Sequence, residues 1–301
     1  MQATTNETFK SIFKKLSKPL EPKQTGTEPS LVKLPEIACV AFDFYGTMFI
    51  SAVGDIGIDD GTADVDTFTA ALDNSELTII DKHAAHVGFD LYDVIVDDHC
   101  KALEKQGYDT PEPDIRAVWT DVLSSLKQKR LIQGTIGEEV VSKFAIEFEA
   151  RMNPIWPMPN LKDLLASLRE KDHELSIISN SQFYTPIAFE ALTGKSLSGM
   201  EFNKNLLHWS FEEKLKKPSM RFYDSFLEKL ANSNPDIKPE QVLYIGNDML
   251  KDIYPASELG FKTALFAGDE RSLKWRKDDD RCKDLKPDLV ITELNQLLEC
   301  V

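Results

Sequence analysis

The amino-acid sequence predicts an α/β fold, in which helices cover both faces of a parallel sheet and a helical segment is inserted after the first strand. Short, nearly continuous apolar runs recur along the chain, helix patterns separate them, and one long stretch contains helix patterns alone. Apolar runs without alternation are typical of strands that are buried on both faces. Strands that alternate with helices indicate a parallel sheet.

The apolar runs give the predicted core strands. They are IACVAFDF (37–44), ELSIIS (174–179), QVLYIG (241–246), KTALF (262–266) and DLVI (288–291). Between and after these runs, helices are predicted at 160–171, with Asn160 as the N-cap, at 219–232 and at 250–260.

Residues 85–152 show helix patterns and no strand pattern. Three helices are predicted here, and the second begins at Thr110 as N-cap with Pro111 in the first helical position. The segment 51–66 is rich in Gly and Asp and is expected to be an exposed loop that leads into these helices. The predicted division is a core from residues 35–50 and 153–301 with a mostly helical insert at 51–152.

Residues 1–34 are expected to be a polar N-terminal tail that contains a short amphipathic helix. Phe9, Ile12, Phe13 and Leu16 are spaced to share one face of that helix. The helix is either an anchor for a membrane or partner or, as we prefer, a segment that docks on its own domain or frays.

Composition limits the class of partner. The formal net charge is −15, which disfavours binding to nucleic acid or to anionic membranes but allows a small anionic substrate at a locally basic site. No apolar run reaches 18 residues, and the N-terminus lacks the apolar centre of a signal peptide. Four scattered cysteines without a CxxC pair fit a cytoplasmic location. We expect a monomer or a homodimer.

Reactive side chains follow the carboxyl ends of three predicted strands, where open parallel sheets bind ligands. They are Asp43 with Thr47, Ser179 with Asn180, and Asp248 with Asp252, and Lys217 precedes a proline on a separate segment. A carboxylate in this position can act as a nucleophile. Asp43 and Asp248 together can hold Mg²⁺, and Lys217 with the metal would neutralise a phosphoryl group that Ser179 and Asn180 orient.

Structural interpretations of these residues stay open. Thr47, Ser179 and Asn180 are also ordinary turn residues, and Asp252 suits a helix N-terminus. Lys214 and Lys216 neighbour Lys217, and the proline after Lys217 decides the choice among them.

The four motifs together resemble the haloacid dehalogenase superfamily. The resemblance covers about residues 36–50 and 153–300, and the helical insert stands where that family places its cap domain. The matching motifs are Asp43-Phe44-Tyr45-Gly46-Thr47, Ser179 after its apolar strand, Lys217-Pro218, and Gly246-Asn247-Asp248 followed by Asp252. The resemblance implies a Rossmann-like core and a nucleophilic Asp43. It implies that Ser179 and Lys217 hold the transferring group, and that Asp43, Asp248 and the carbonyl of Tyr45 bind Mg²⁺. It also implies that Asp252 supports either the metal or Lys217.

Two motifs favour different reactions. Phosphatases of this superfamily usually carry a second Asp at the place of Tyr45, whereas the dehalogenase branch has Tyr there, because a halide leaves without a proton. Asp248 instead matches the metal-dependent branch, and phosphoryl transfer gains more from Mg²⁺ than halide displacement does.

We give the metal motif more weight, because an additional acid beside Asp43 and Asp252 would be costly without a cation. The sequence therefore predicts a Mg²⁺-dependent hydrolase that forms a covalent aspartyl intermediate, with a small phosphorylated metabolite as substrate. The alternatives are a metal-independent 2-haloacid dehalogenase and a weak or inactive family member that acts as a binding module.

Overall fold

The computed structural model describes residues 2–54 and 65–301. Its strands, in chain order, are β1 (Cys39–Phe42), β2 (Phe49–Ser51), β3 (Thr78–Ile79), β4 (Ile132–Gln133), β5 (Ile155–Pro157), β6 (Glu174–Ser179), β7 (Phe202–Trp209), β8 (Val242–Gly246), β9 (Lys262–Phe266) and β10 (Leu289–Ile291). Six of them form one parallel sheet in the order β10-β9-β8-β1-β6-β7. The predicted α/β fold is confirmed.

The helices flank this sheet and fill the segment after β2. They are α1 (Gln2–Leu16), α2 (Val65–Asn74), α3 (Ala84–Glu104), α4 (Ile115–Gln128), α5 (Glu138–Met152), α6 (Leu161–Glu170), α7 (Thr185–Thr193), α8 (Ser210–Glu213), α9 (Met220–Ser233), a π-helix (Met249–Ile253), α10 (Tyr254–Glu258) and α11 (Leu297–Cys300). Within the described residues, no helix is both long and apolar enough to cross a bilayer.

All five predicted strands are present, and β1 is shorter than predicted because the chain leaves the sheet at Asp43. Strand β7 was not predicted. It lies at the edge of the sheet, where Lys204 and Asn205 are exposed, so its sequence lacks the continuous apolar run of the central strands. An edge strand with one open side tolerates polar residues of this kind.

Three helix predictions needed correction. Asn160 has a left-handed φ of 64° and its side chain makes no capping hydrogen bond. Helix α4 begins after Asp114, whose side chain accepts from the Arg116 amide, and not after Thr110. Pro113 explains the later start, because a residue before proline is disfavoured in the helical region. The helix predicted at 250–260 is split into the π-helix and α10.

The insert contains a fourth helix, α2, that the sequence patterns did not reveal. Phe68 on this helix packs edge-on against Trp119 of α4 and against Phe144 and Phe148 of α5. These rings form a separate hydrophobic core in the insert. The predicted exposed loop at 51–66 falls mostly on residues 55–64, which lie outside the described residues.

Helix α1 packs against α5 of the insert and α7 of the core. Phe9, Ile12 and Phe13 are buried on its inner face. Lys10 forms an ion pair with Glu190 of α7 at 2.8 Å, which adds a charged contact to this packing. Docking on the rest of the chain therefore uses the apolar face that the sequence predicted.

Candidate active site

Three adjacent strands deliver the reactive residues to one edge of the sheet. Strand β1 pairs with β6 on one side and with β8 on the other. Their carboxyl ends therefore bring the segments after Phe42, Ser179 and Gly246 together. The Asp43 amide donates to the Ile245 carbonyl at 2.8 Å, so the nucleophile candidate is held directly beside the end of β8.

Lys217 links the two acids at the centre of the site. Its Nζ lies 2.7 Å from Asp43 Oδ1 and 2.5 Å from Asp252 Oδ1, and it donates to the Tyr244 hydroxyl at 3.1 Å. Asp43, Lys217 and Asp252 are all buried. A buried charge is tolerated only when it is paired and hydrogen-bonded, and this network meets both conditions.

Burial and mutual charge shift the pKa values of Asp43 and Lys217. Burial raises the pKa of Asp43 to about 6, although the neighbouring Lys217 ammonium opposes this rise. For Lys217 burial alone would lower the pKa, but the carboxylates of Asp252 and Asp43 outweigh it and raise the pKa above the ordinary value. The lysine is therefore positively charged across the neutral range and Asp43 is mainly ionised above pH 6.

Asp252 supports both Lys217 and the loop after β8. Its Oδ1 accepts from Lys217 and Tyr244, and its Oδ2 accepts from the Asn247 and Asp248 amides at 3.0 and 2.9 Å. Gly246 allows this approach, because a Cβ there would lie 2.3 Å from Asp252 Cγ. Both carboxylate oxygens are thus satisfied by protein donors, which favours the supporting role of Asp252 over direct metal ligation.

The predicted orienting residues differ in what they contact. Ser179 Oγ accepts from the Phe44 amide at 3.4 Å and hydrogen-bonds to Asp43. Asn180 Oδ1 accepts from the Lys217 amide at 2.8 Å, which fixes the segment that carries the lysine. Thr47 is fully buried and donates to Asn247 Oδ1 at 3.1 Å. Thr47 therefore connects the loops after β1 and β8.

The Tyr45 hydroxyl is engaged with a residue of α7. The phenol oxygen lies 2.9 Å from Thr185 Oγ1, and the side chain is buried. Burial raises the pKa of Tyr45 well above its ordinary value, and the nearby Glu149 adds to the effect. The phenol therefore stays protonated at neutral pH and does not act as the base that a second Asp would supply.

Asp248 is paired with a residue that the sequence analysis did not identify. The Arg276 guanidinium donates from Nε at 3.1 Å to Oδ1 and from Nη2 at 2.6 Å to Oδ2. The Leu250 and Lys251 amides also donate to Oδ1. Burial would raise the pKa of Asp248, but these hydrogen bonds together hold it below its ordinary value.

Arg276 supplies the positive charge beside Asp248 for which the sequence offered only a metal. Asp248 is therefore compensated by the protein itself, and its presence alone does not require Mg²⁺. Arg276 lies in a polar loop between β9 and β10, with no strand or motif beside it, so the sequence offered no signal for its position.

The oxygen atoms at this edge of the sheet are the type of ligand that a hard divalent cation prefers. Asp43, Tyr45, Asn247 and Asp248 line a small cavity of about 20 Å³. Within the described ranges 2–54 and 65–301, no three His, Cys, Asp or Glu side chains form a metal cluster. Mg²⁺ commonly binds through one or two carboxylates and completes its shell with water and substrate oxygens. Asp43, Asp248 and the Tyr45 carbonyl are the residues that would hold it, with Arg276 competing for Asp248.

A second cavity, of about 490 Å³, lies between the insert and the core. It shares Asn180, Lys217 and Lys251 with the small cavity, so the two open onto the same charged edge. Its far walls come from α3, α4 and α5 and include Tyr92, Trp119 and Phe148. Trp119 and Phe148 belong to the core of the insert, Tyr92 packs against that core, and all three rings also face the cavity.

Known proteins resemble this chain in fold or in sequence. A 2-haloacid dehalogenase from Pseudomonas syringae pv. Tomato DC3000 superposes with a TM-score of 0.51 at 17% identity, covering 87% of this chain and 97% of that chain. A glyceraldehyde 3-phosphate phosphatase from Pyrococcus furiosus is 29% identical over 143 residues, which are 47% of this chain and 53% of that protein. This alignment spans only about half the length of the curated relative.

A family model provides the assignment. The model described as haloacid dehalogenase-like hydrolase matches residues 89–266, which is more than half of the chain. The match includes the strands that carry Ser179 and Asp248 and the segment that carries Lys217, while Asp43 lies upstream of it. The chain therefore belongs to the haloacid dehalogenase-like hydrolases.

Proposed function

We propose that this hydrolase is a Mg²⁺-dependent phosphatase that acts on a small phosphomonoester through an aspartyl-phosphate intermediate at Asp43. The proposal rests on one observation, namely that the buried Asp43 carboxylate and several lysines lie together where the two cavities meet. Asp43, Lys217, Lys251 and Lys274 all line the small cavity. A carboxylate nucleophile in a cavity lined by cations can approach a dianionic phosphoryl group, because the cations offset the repulsion between the two negative charges.

Each residue has a defined task in this reaction. Asp43 attacks phosphorus, the bond from phosphorus to the ester oxygen breaks, and the alkoxide takes a proton from water. Water then attacks the phosphorus of the acyl phosphate, which restores the Asp43 carboxylate and releases inorganic phosphate. Lys217 holds Asp43 in place and neutralises the phosphoryl oxygens. Mg²⁺, when bound, neutralises further charge on those oxygens.

A leaving group of low basicity compensates for the missing second Asp. Tyr45 stays protonated and points toward Thr185, so no side chain of the first motif replaces that acid. General acid–base catalysis contributes roughly 10²- to 10⁴-fold. We therefore expect aryl or acyl phosphates to react much faster than simple alkyl phosphates.

Dehalogenation of small 2-haloacids is the second candidate. Tyr45 at this position and the charge compensation of Asp248 by Arg276 both favour it, because halide displacement requires neither a proton donor nor a metal. In that reaction Asp43 would displace halide from carbon to form an ester, which water then hydrolyses.

One side-by-side assay separates the two candidates. The protein is incubated with p-nitrophenyl phosphate and with 2-chloropropionate, each with Mg²⁺ and with EDTA, beside the Asp43→Asn variant. Phosphate release that EDTA and Asp43→Asn both abolish supports the phosphatase. Chloride release that EDTA leaves unchanged supports the dehalogenase and refutes the proposal, and silence in every sample refutes both.

A further inference from the structure

The larger cavity is lined by side chains of opposite charge. Lys217 and Lys251 line it where it meets the small cavity, and the reacting group lies there under the proposed function. The insert contributes acidic and aromatic side chains to the same cavity. They are Tyr92, Asp93, Trp119, Phe148 and Glu149. A substrate that fills the cavity therefore meets cations from the core and acids from the insert.

Glu149 is the acid whose hydrogen bonding is incomplete. It lies in the last turn of α5, and its carboxyl hydrogen-bonds to the Tyr184 hydroxyl and to the Asn153 side chain. The other oxygen, Oε1, is buried and has no hydrogen-bond partner. A buried acceptor without a donor is destabilising, so a ligand that supplies a donor to this oxygen gains affinity on binding.

Among the described residues, no cationic side chain lowers the pKa of Glu149. Burial raises the pKa of Glu149 to about 7, and only the Tyr184 and Asn153 hydrogen bonds oppose this rise. The three other acids at the cavity differ from Glu149, since Asp93 is exposed, Lys101 pairs with Asp97 and Gln182 donates to Glu112. Glu149 is thus distinguished from its acidic neighbours by its orphaned oxygen.

We propose that Glu149 recognises a protonated amine on the substrate, and hence that this enzyme hydrolyses an amino-substituted phosphomonoester whose ammonium group lies between Glu149 and the aromatic wall. The inference rests on the proposed phosphatase function. An ammonium supplies the donor that Oε1 lacks and a positive charge near the carboxylate. Tyr92, Trp119 and Phe148 form an aromatic wall that also attracts a cation.

Recognition of this kind gives strong selectivity against uncharged analogues. An alkyl phosphate of equal length would leave Glu149 Oε1 unpaired in the complex. Sites that are built to hydrogen-bond a polar group reject analogues that lack it, because the protein group is then left without a partner. We expect at least a tenfold preference in kcat/KM for the amino-substituted substrate.

Phosphate release from 4-aminobutyl phosphate, 4-hydroxybutyl phosphate and pentyl phosphate tests the inference, with p-nitrophenyl phosphate as a reference. In the wild-type enzyme the amino compound is expected to exceed pentyl phosphate at least tenfold in kcat/KM. In Glu149→Gln this ratio falls to about one. Glu139→Gln, an exposed acid on the same helix, keeps the wild-type ratio. Equal rates for the amino and pentyl compounds, a greater preference for the hydroxyl compound, or an unchanged ratio in Glu149→Gln would each overturn the inference.

Calorimetric binding to the Asp43→Asn variant separates this inference from the proposed function. Selective binding of 4-aminobutyl phosphate that Glu149→Gln removes supports the role of Glu149, even if the wild-type enzyme releases no phosphate from any compound. In that case the phosphatase reaction alone is wrong. Release from p-nitrophenyl phosphate together with equal binding of the amino and pentyl compounds retains the phosphatase and refutes the amine site.

Discussion

Replacing Lys217 with methionine removes the cation between two buried carboxylates while keeping an unbranched side chain of similar length. In the native protein, Lys217 Nζ lies 2.7 Å from Asp43 and 2.5 Å from Asp252. Removing one partner of a buried ion pair destabilises a protein by about 3–5 kcal/mol, because the remaining charge is left uncompensated. We expect a loss of this size in the free energy of unfolding of Lys217→Met at pH 7.5.

The pH dependence of this loss identifies its origin. Burial already raises the pKa of Asp43 to about 6, and without the opposing ammonium it rises further above the value of about 3.9 that aspartate has in the unfolded chain. A raised carboxyl pKa in the folded state means that stability is lost as pH rises from the unfolded value through the folded one. The difference between Lys217→Met and wild type should therefore shrink when the pH is lowered from 7.5 to 5.

Urea unfolding followed by circular dichroism at both pH values measures this effect. Lys216→Met is the matched control, because the neighbouring Lys216 is exposed, and we expect it to change stability by less than about 0.5 kcal/mol. The double variant Lys217→Met/Asp252→Asn should regain part of the lost free energy of unfolding, because it removes one of the two uncompensated charges. It can be measured in place of the single variant if that variant does not fold. A loss below 1 kcal/mol, or an equal loss at pH 5 and pH 7.5, would show that the network does not depend on Lys217 charge.

Three further predictions concern the reaction and the metal. Asp43→Asn should lower turnover at least about a thousandfold in a phosphate-release assay while the circular dichroism spectrum stays native, and substantial residual release would reject the nucleophile. Arg276→Ala should tighten Mg²⁺ binding about tenfold in calorimetry, because Asp248 loses a competing charged hydrogen bond, whereas alanine at the exposed Arg281 should have no effect. Tyr45→Phe should cost about 1 kcal/mol of stability through the lost bond to Thr185 and change kcat less than threefold; a larger fall in kcat would indicate a chemical role for the phenol.

The central fold was predictable because its strands are buried on both faces and therefore carry uninterrupted apolar runs. Edge strand β7 escaped prediction because its exposed side carries Lys204 and Asn205. The predicted loop at 51–66 overlaps only the start of helix α2, and the short apolar face of this helix lies beyond it in residues that were assigned to no element. The start of α4 depended on which of several polar residues had space to cap it, and local sequence does not determine that choice.

The site was predictable as far as strand ends determine it. Asp43 and Asp252 follow β1 and β8, Ser179 is the last residue of β6, and the order of adjacent parallel strands brings them together. Arg276 and Glu149 reach the site or its cavity from a polar loop and a helix of the insert. Their approach depends on tertiary packing, and no pattern of spacing along the chain encodes it.

Helix α1 has a consequence for motion between the insert and the core. The Thr5 hydroxyl donates to Glu139 of α5, and Lys10 pairs with Glu190 of α7, so a single helix contacts both the insert and the core. A hinge motion that widens the cavity between the insert and the core must lengthen or break one of these two contacts. Helix α1 therefore links the insert to the core, and its contacts with α5 contribute to the free energy needed to move the insert away from the core.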